Sequence, residues 1–376
     1  MERCDLLIVG GGPAGSSLAW ALRDSGLDVW ILDRQTFPRD KPCAGWITPQ
    51  VLEELAIHPE IYAKSRVLQP IRGFRVRRIG DAPSEVRSEV PISYGIRRCE
   101  FDQLLLERSE AHLRLGEPLR RLERVGGRWI ANGSIETPLV VGAGGHFCPV
   151  GRRQSTAGPE REPVVAAQEV EFLLEEPDRV DCPVRAELPE IFFTADLKGY
   201  GWLFRKGDYL NVGLGRRDTR RFSDHLAEFL DFLRAAGRLP GKLPGRFPGH
   251  AYLLYSESPR RLVGENLALV GDAAGLAYPR SGEGIRPAVE SALLLARALR
   301  DAAGPAHPEA LTAYQRAMTR RFGRRGSRRR GVTDLLPGPV VSRLAGKLLA
   351  NRRFARRVVV DRWFLHAADP PLSGRV

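Results

Sequence analysis

Residues 5–33 read DLLIVGGGPAGSSLAWALRDSGLDVWILD, and this stretch decides the fold. Leu6, Leu7, Ile8 and Val9 form the short apolar run of a buried parallel strand. Gly10, Gly12 and Gly15 follow at G-x-G-x-x-G spacing, with Pro13 and Ala14 between them. Ala14, Leu18, Ala19 and Leu22 then recur at helical spacing up to a stop at Ser25-Gly26. Val29, Trp30, Ile31 and Leu32 make a second apolar strand that ends at Asp33 and Arg34. Glycine spacing alone is a weak signal; strand, glycines, helix, strand and acid in that order is a specific one.

Each residue of this unit has a physical task. Gly10 permits a tight turn, Gly12 lets a diphosphate approach the backbone, and Gly15 lets the helix pack on the strand. The helix N-terminus offers free N–H groups and about half a positive charge to that diphosphate. Asp33 is placed to accept from a ribose 2′-OH and disfavours a 2′-phosphate, which selects FAD or NAD over NADP.

The 376 residues hold one large or two ordinary domains, and 43% apolar with 27% charged content is that of a soluble globular chain. Cys4, Cys43, Cys99, Cys148 and Cys182 are odd in number and widely spaced, so neither a disulfide framework nor a metal site is expected. The first residues lead straight into a strand without a signal peptide, and no apolar run is long enough to span a bilayer. A cytoplasmic protein is expected. The net charge of +13 sits entirely between Arg316 and Arg362, where fourteen arginines and one lysine face only Asp334 and Asp361.

Further along, the pattern changes repeatedly. A Pro- and Gly-containing loop runs into a short helix near residues 49–55, and alternating segments from Arg66 to Ser93 read as strands of another sheet. Residues 119–141 read as two or three short strands before Gly144-Gly145, a close backbone approach rather than a second nucleotide loop, because Phe147 occupies the third glycine position. Residues 164–174, 187–193, 200–204 and 209–214 are strand-like, 222–236 helical, 266–270 strand and 285–299 strongly helical. The expected fold is therefore α/β: a discontinuous Rossmann-type nucleotide-binding domain (1–62, 95–160 and 258–312) with an inserted β-sheet-rich domain (63–94 and 161–257), which the family resemblance below implies are an FAD-binding domain and a substrate domain. A basic C-terminal helical tail (313–376) follows.

Four stretches carry a resemblance. GDAAGLAYPRSGEGIRPAVESA (271–292), RCEFDQLL (98–105), KGYGWLFRKGDYLNVGLG (198–215) and KPCAG (41–45) together resemble the geranylgeranyl reductase family of FAD-dependent oxidoreductases, within the aromatic-hydroxylase-like flavoproteins. The resemblance implies that Gly271 and Asp272 bind the ribityl chain, and that Pro279, Gly282, Gly284 and Ile285 lie by the flavin ring. A helix N-terminus there would stabilise reduced flavin. It implies an Arg98 contact to the flavin nucleotide and an aromatic substrate wall of Tyr200, Trp202 and Phe204, flat on alternating strand positions and joined by Trp46. Arg205 stands where the family has proline in that segment. Cys43 would approach the flavin and donate a proton to carbon, with an inert packed cysteine as the alternative.

The same resemblance sets the expected chemistry: hydride transfer from reduced flavin to carbon–carbon double bonds of an isoprenoid or similar apolar lipid. A monooxygenase acting on an aromatic or polyketide is the alternative in this fold. Halogenation fits less well, since Arg72 precedes Gly73 where related halogenases carry a lysine, and a non-catalytic flavoprotein is the remaining class. Many relatives have Asp-Gly where this chain has Gly144-Gly145, which leaves the electron donor open between NAD(P)H and a reduced ferredoxin. Arg316, Arg320, Arg324 and Arg328 form a helical stripe, and Leu344, Leu348, Phe354 and Val358 offer apolar faces. An anionic membrane surface is the partner these suggest, with a solvated helix as the alternative and no nucleic acid expected.

Overall fold

The computed structural model describes residues 1–158, 161–302, 304, 307–326 and 338–372. Its organising element is a six-stranded sheet in which Leu6–Val9 lies between Val29–Asp33 and Leu139–Gly142, flanked by His112–Leu115 on one side and Leu267–Leu269 on the other. These five strands are parallel, and Val263–Gly264 closes the edge antiparallel to the last. Leu6, Leu7, Ile8, Val140 and Val141 are fully buried or nearly so, as a parallel sheet covered on both faces requires.

Helices Pro13–Leu22 and Ile285–Asp301 pack together over this sheet. The contact is close enough that a Cβ on Gly271 would lie 2.9 Å from Ala14 Cβ and 3.3 Å from Ala288 Cβ. A Cβ on Gly15 would lie 1.9 Å from the Gly10 carbonyl oxygen, so only glycine lets the first helix settle on its strand. Gly10 itself has φ +117°, and a Cβ there would strike the Gly144 backbone at 2.5 Å. The close approach expected around Gly144 is real, and it is Gly10 that must be bare.

A second, seven-stranded sheet runs in the order Gly249–Leu253, Val164–Leu173, Tyr209–Arg216, Gly199–Lys206, Glu190–Phe193, Gly73–Arg78, Ser84–Arg87. Long antiparallel pairings at its centre fix the register, with Trp202 opposite Gly213 and Tyr200 opposite Gly215. Helix Phe222–Ala235 covers one face through Phe229, Leu230 and Leu233. The region expected as two or three strands contains four, Leu122–Val125, Arg128–Ala131, Ile135–Thr137 and Leu139–Gly142.

The C-terminal region departs from expectation. Helix Pro308–Phe322 runs straight through the expected boundary at 313 and ends at Gly323, whose φ is +81°. That turn breaks the arginine stripe after Arg316 and Arg320; Arg328 lies outside the described residues. Arg321 and Arg325 are structural: the first pairs with buried Glu290, and the second donates to the Ala274 and Arg260 carbonyls. Val358 and Phe354 turn partly inward rather than out. Leu349, Ala355, Val359, Val360, Phe364 and Leu365 are buried in one core with Trp46, Phe74, Trp202 and Phe204, so the chain end closes over the second sheet.

Candidate functional site

The carboxyl ends of the parallel strands open into a cavity of about 470 Å³ that reaches across to the second sheet. Ligands of doubly wound folds bind at this edge. At its nucleotide end the lining is mostly backbone: Gly10, Gly12, Pro13, Ala14, Gly144, Gly145 and Gly284. A Cβ on Gly12 would meet nothing nearer than the Arg39 guanidinium at 3.4 Å, so the space above the first helix N-terminus is open. No side chain caps that helix, whose leading N–H groups stay available to an anion.

Asp33 closes the turn and is about 9% exposed. Its Oδ2 accepts from Gly11 N–H at 2.7 Å and its Oδ1 from Gln35 N–H at 2.8 Å. Arg98 donates twice to Asp102, both at 2.8 Å, and Arg39 pairs with the same carboxylate at 3.2 Å. Burial alone would lower the Arg98 pKa, but Asp102 and then the neighbouring Cys43 side chain outweigh it and raise it. Two arginines held this way keep positive charge beside an open glycine cradle. The cradle, the acid and the cations fit the ADP half of FAD.

Opposite, Asp272 accepts from His250 Nε2 at 3.3 Å, and Lys41 Nζ lies 2.8 Å from His250 Nδ1. This chain of contacts sets the tautomer: the ammonium donates to Nδ1 and Nε2–H donates to the carboxylate. Burial pushes Lys41 down to about 8, with Arg98 adding repulsion, and burial together with Lys41 lowers His250. Burial would raise Asp272, yet the His250 hydrogen bond and the charges of Lys41 and Arg98 hold it below its ordinary value.

The far end is aromatic. Tyr200, Trp202 and Phe204 alternate along Gly199–Lys206, so all three face the cavity, joined by Trp46, Tyr252 and Phe364. The wall is not flat: Tyr200 and Trp202 are tilted by 56° at 6.0 Å, and Phe364 meets Tyr200 edge-on at 5.5 Å. Lys206 continues the same strand face but is only 1% exposed. Its Nζ donates to Ala44 O at 3.0 Å and Ile96 O at 2.9 Å and pairs with Glu171. That buried ammonium ties the 43–45 loop to the second sheet.

Cys43 lines the cavity, its side chain beside Arg98 and within electrostatic reach of Tyr200 and Tyr252. Its N–H donates to Glu169 Oε1 at 2.9 Å and its carbonyl accepts from Asn211 Nδ2 at 3.0 Å. Glu169 is buried, and desolvation pushes its carboxyl up to about 7. Burial also pushes Glu283 up to about 8; neither of its oxygens completes a hydrogen bond, although the Arg286 N–H lies nearby.

Most residues singled out from sequence converge here. Gly10, Gly12, Pro13, Ala14, Asp33, Arg34, Arg98, Asp272, Gly282, Gly284 and Ile285 line the cavity together with Cys43, Trp46, Tyr200, Trp202 and Phe204. Gly15 and Gly271 stand behind it as packing glycines. Pro279 is exposed and off the lining, because the turn that reaches the cavity begins only at Ser281. Arg72 is also exposed and away from it, its guanidinium donating to the Glu89 carbonyl. Sequence reasoning missed Arg39, Glu169, His250, Tyr252, Glu283 and Phe364. Only Arg39, two residues before the KPCAG segment, and Glu283, inside the 271–292 stretch between Gly282 and Gly284, had a local signal.

Comparison with known proteins agrees with this geometry. The family described as "FAD binding domain" matches residues 3–111. Menaquinone reductase of Mycobacterium tuberculosis is 29% identical over 326 residues, covering 79% of this chain and 77% of that protein. Digeranylgeranylglycerophospholipid reductase of Methanothrix thermoacetophila is 28% identical over 349 residues, covering 87% and 85%. Among solved structures, a geranylgeranyl bacteriochlorophyll reductase-like protein from Thermoplasma acidophilum superposes with a TM-score of 0.75 at 21% identity, over 93% of this chain and 92% of that one. Among the described residues no group of side chains is arranged to hold a metal ion, and no helix is long and apolar enough to cross a membrane.

Proposed function

We propose that this FAD-dependent oxidoreductase of the geranylgeranyl reductase type reduces carbon–carbon double bonds of an isoprenoid lipid, with Cys43 as the proton donor. The observation that carries the reading is one cavity lined together by the backbone-rich glycine cradle, by Cys43 and by the aromatic side chains of the second sheet. The name of the similar digeranylgeranylglycerophospholipid reductase supports the substrate class. Reduced FAD supplies the hydride when bound. The protein's part is to hold the diphosphate on the Pro13 helix, to place the open N-terminus of the Ile285 helix at the cavity and to keep the apolar chain against Tyr200, Trp202 and Phe364.

Within this reading the parallel sheet carries the FAD part and the seven-stranded sheet the substrate part, a division supported by the strand pairings. Exposed Arg343, Lys347, Arg352 and Arg353 around exposed Leu344 and Leu348 support docking of this face to anionic lipid. Removing those charges should abolish flotation with phosphatidylglycerol liposomes, and unchanged flotation rejects the docking. Anaerobic mixing with NADH, NADPH and reduced ferredoxin in turn identifies the electron donor by which of them bleaches the flavin. Cys43→Ala should keep FAD and lose turnover; wild-type turnover in that variant removes the thiol from the chemistry.

A further inference from the structure

A lysine taken out of water is ordinarily paired with a carboxylate. Lys41 is not. Its Nζ lies 2.8 Å from His250 Nδ1, and His250 Nε2 lies 3.3 Å from Asp272 Oδ2, so an imidazole stands between the two charges. A carboxylate only accepts, so Asp272 keeps the proton on Nε2 and leaves the Nδ1 lone pair to the ammonium. Lys41 has three N–H donors, and among the described residues His250 Nδ1 takes one of them. All three residues line the cavity, and two N–H bonds of the ammonium are left for what the cavity holds.

The three are carried by different elements, each anchored elsewhere. The Lys41 loop is bonded to the second sheet through Cys43, whose N–H donates to Glu169 and whose carbonyl accepts from Asn211. His250 sits on the strand Gly249–Leu253, paired with Ala167 of Val164–Leu173. Asp272 belongs to the short turn Gly271–Ala273, and a Cβ on Gly284 would come within 3.0 Å of its Oδ1. The charged and titratable groups around Lys41 are Arg39, exposed Asp40 and Cys43 on its own loop, Arg98 on the helix Arg98–Glu107, His250 and Asp272. Asp102 is taken up by Arg98 and Arg39, and Asp272 is behind the imidazole. No carboxylate is therefore in contact with the ammonium among the described residues.

We propose that Lys41 is the charge that sets the reduction potential of the bound FAD, and that His250 is the spacer that keeps this charge from being cancelled by Asp272. The proposal rests on FAD binding alone and holds whichever substrate the reduced cofactor serves. Two electrons from dithionite and one proton from water convert FAD to its singly negative reduced form, which an ammonium at the cavity wall favours over the oxidised form. Burial brings Lys41 down to about 8, so above that pH the oxidised protein holds a neutral amine. Reduction there draws a second proton from water onto Nζ.

The test is the two-electron midpoint potential of the FAD-loaded protein, measured by dye equilibration without oxygen between pH 6 and 10. Lys41→Met should favour the reduced cofactor about tenfold less at pH 7, which lowers the potential by about 30 mV. By linkage, reduction raises the Lys41 pKa by the same factor, about one unit above its value of about 8. Across that unit the wild-type potential should fall about 30 mV further than the K41M line and meet it. Lines that coincide at pH 7, or stay equally far apart up to pH 10, overturn the proposal. Should K41M not hold FAD, Lys41→Arg decides. Arginine stays charged throughout, so its potential should match the wild type at pH 7 and exceed it by about 30 mV at pH 10; coincidence at pH 10 is equally fatal. His250→Ala lets carboxylate and ammonium meet and should lower the potential at pH 7 toward that of K41M, and a wild-type value overturns the part given to His250. Lipid turnover is not read in any of these measurements, so a failure of the double-bond chemistry leaves their outcome unchanged.

Discussion

The two ends of the cavity are built by different means. The nucleotide end is made of backbone, shaped where Gly10, Gly12 and Gly15 allow chain to approach chain. The aromatic end is made of side chains drawn from positions 46, 200–204, 252 and 364, and it exists only once the second sheet and the chain end have folded. Backbone constraints leave a local mark in sequence because one turn must satisfy them within a few residues. Convergent side chains leave none.

The comparison is broken most severely at Gly15. Gly15→Val places a Cβ 1.9 Å from a carbonyl that cannot move without displacing the strand. Loss of about 3 kcal/mol or more and of all bound flavin is expected, read by thermal melting and FAD absorbance. Cys43→Ala acts at the junction and should separate the ends: FAD retained, turnover down by about 10²–10⁴. At the aromatic end Phe364→Ala should cost about 3 kcal/mol of stability and weaken substrate binding while leaving the FAD affinity of the folded protein unchanged.

A smaller effect tests the electrostatics between the ends. Burial raises Glu283 from 4.5 to about 8, so the folded state binds its proton more tightly than the unfolded chain does. Its contribution is full below pH 4.5 and is lost as pH rises to 8. Glu283→Gln should flatten that slope and leave the protein more stable than wild type at pH 8, with no difference at pH 4. Arg72→Ala, remote from both ends, should change stability by less than about 0.5 kcal/mol and leave activity alone.

The parallel sheet, its glycine turn and the Ile285 helix were legible from residue spacing, and so was the facing of Tyr200, Trp202 and Phe204. What was not legible followed from distance along the chain. His250 meets Lys41 and Asp272 across more than 200 residues in the first case, and nothing in GHAYL announces a cavity residue. Phe364 follows an arginine-rich run whose charge suggested an outer surface; its inner face is core. Glu169 sits on an alternating strand where an inward carboxylate breaks the pattern, and only the loop carrying Cys43 explains it.

The central claim is that the Cys43 junction joins a flavin to an apolar alkene. Photoreduction of the FAD-loaded protein without oxygen, followed by a geranylgeranyl lipid, tests it directly. The flavin absorbance should return in step with a saturated product. Flavin that stays reduced until oxygen is admitted, with a hydroxylated product, would contradict it.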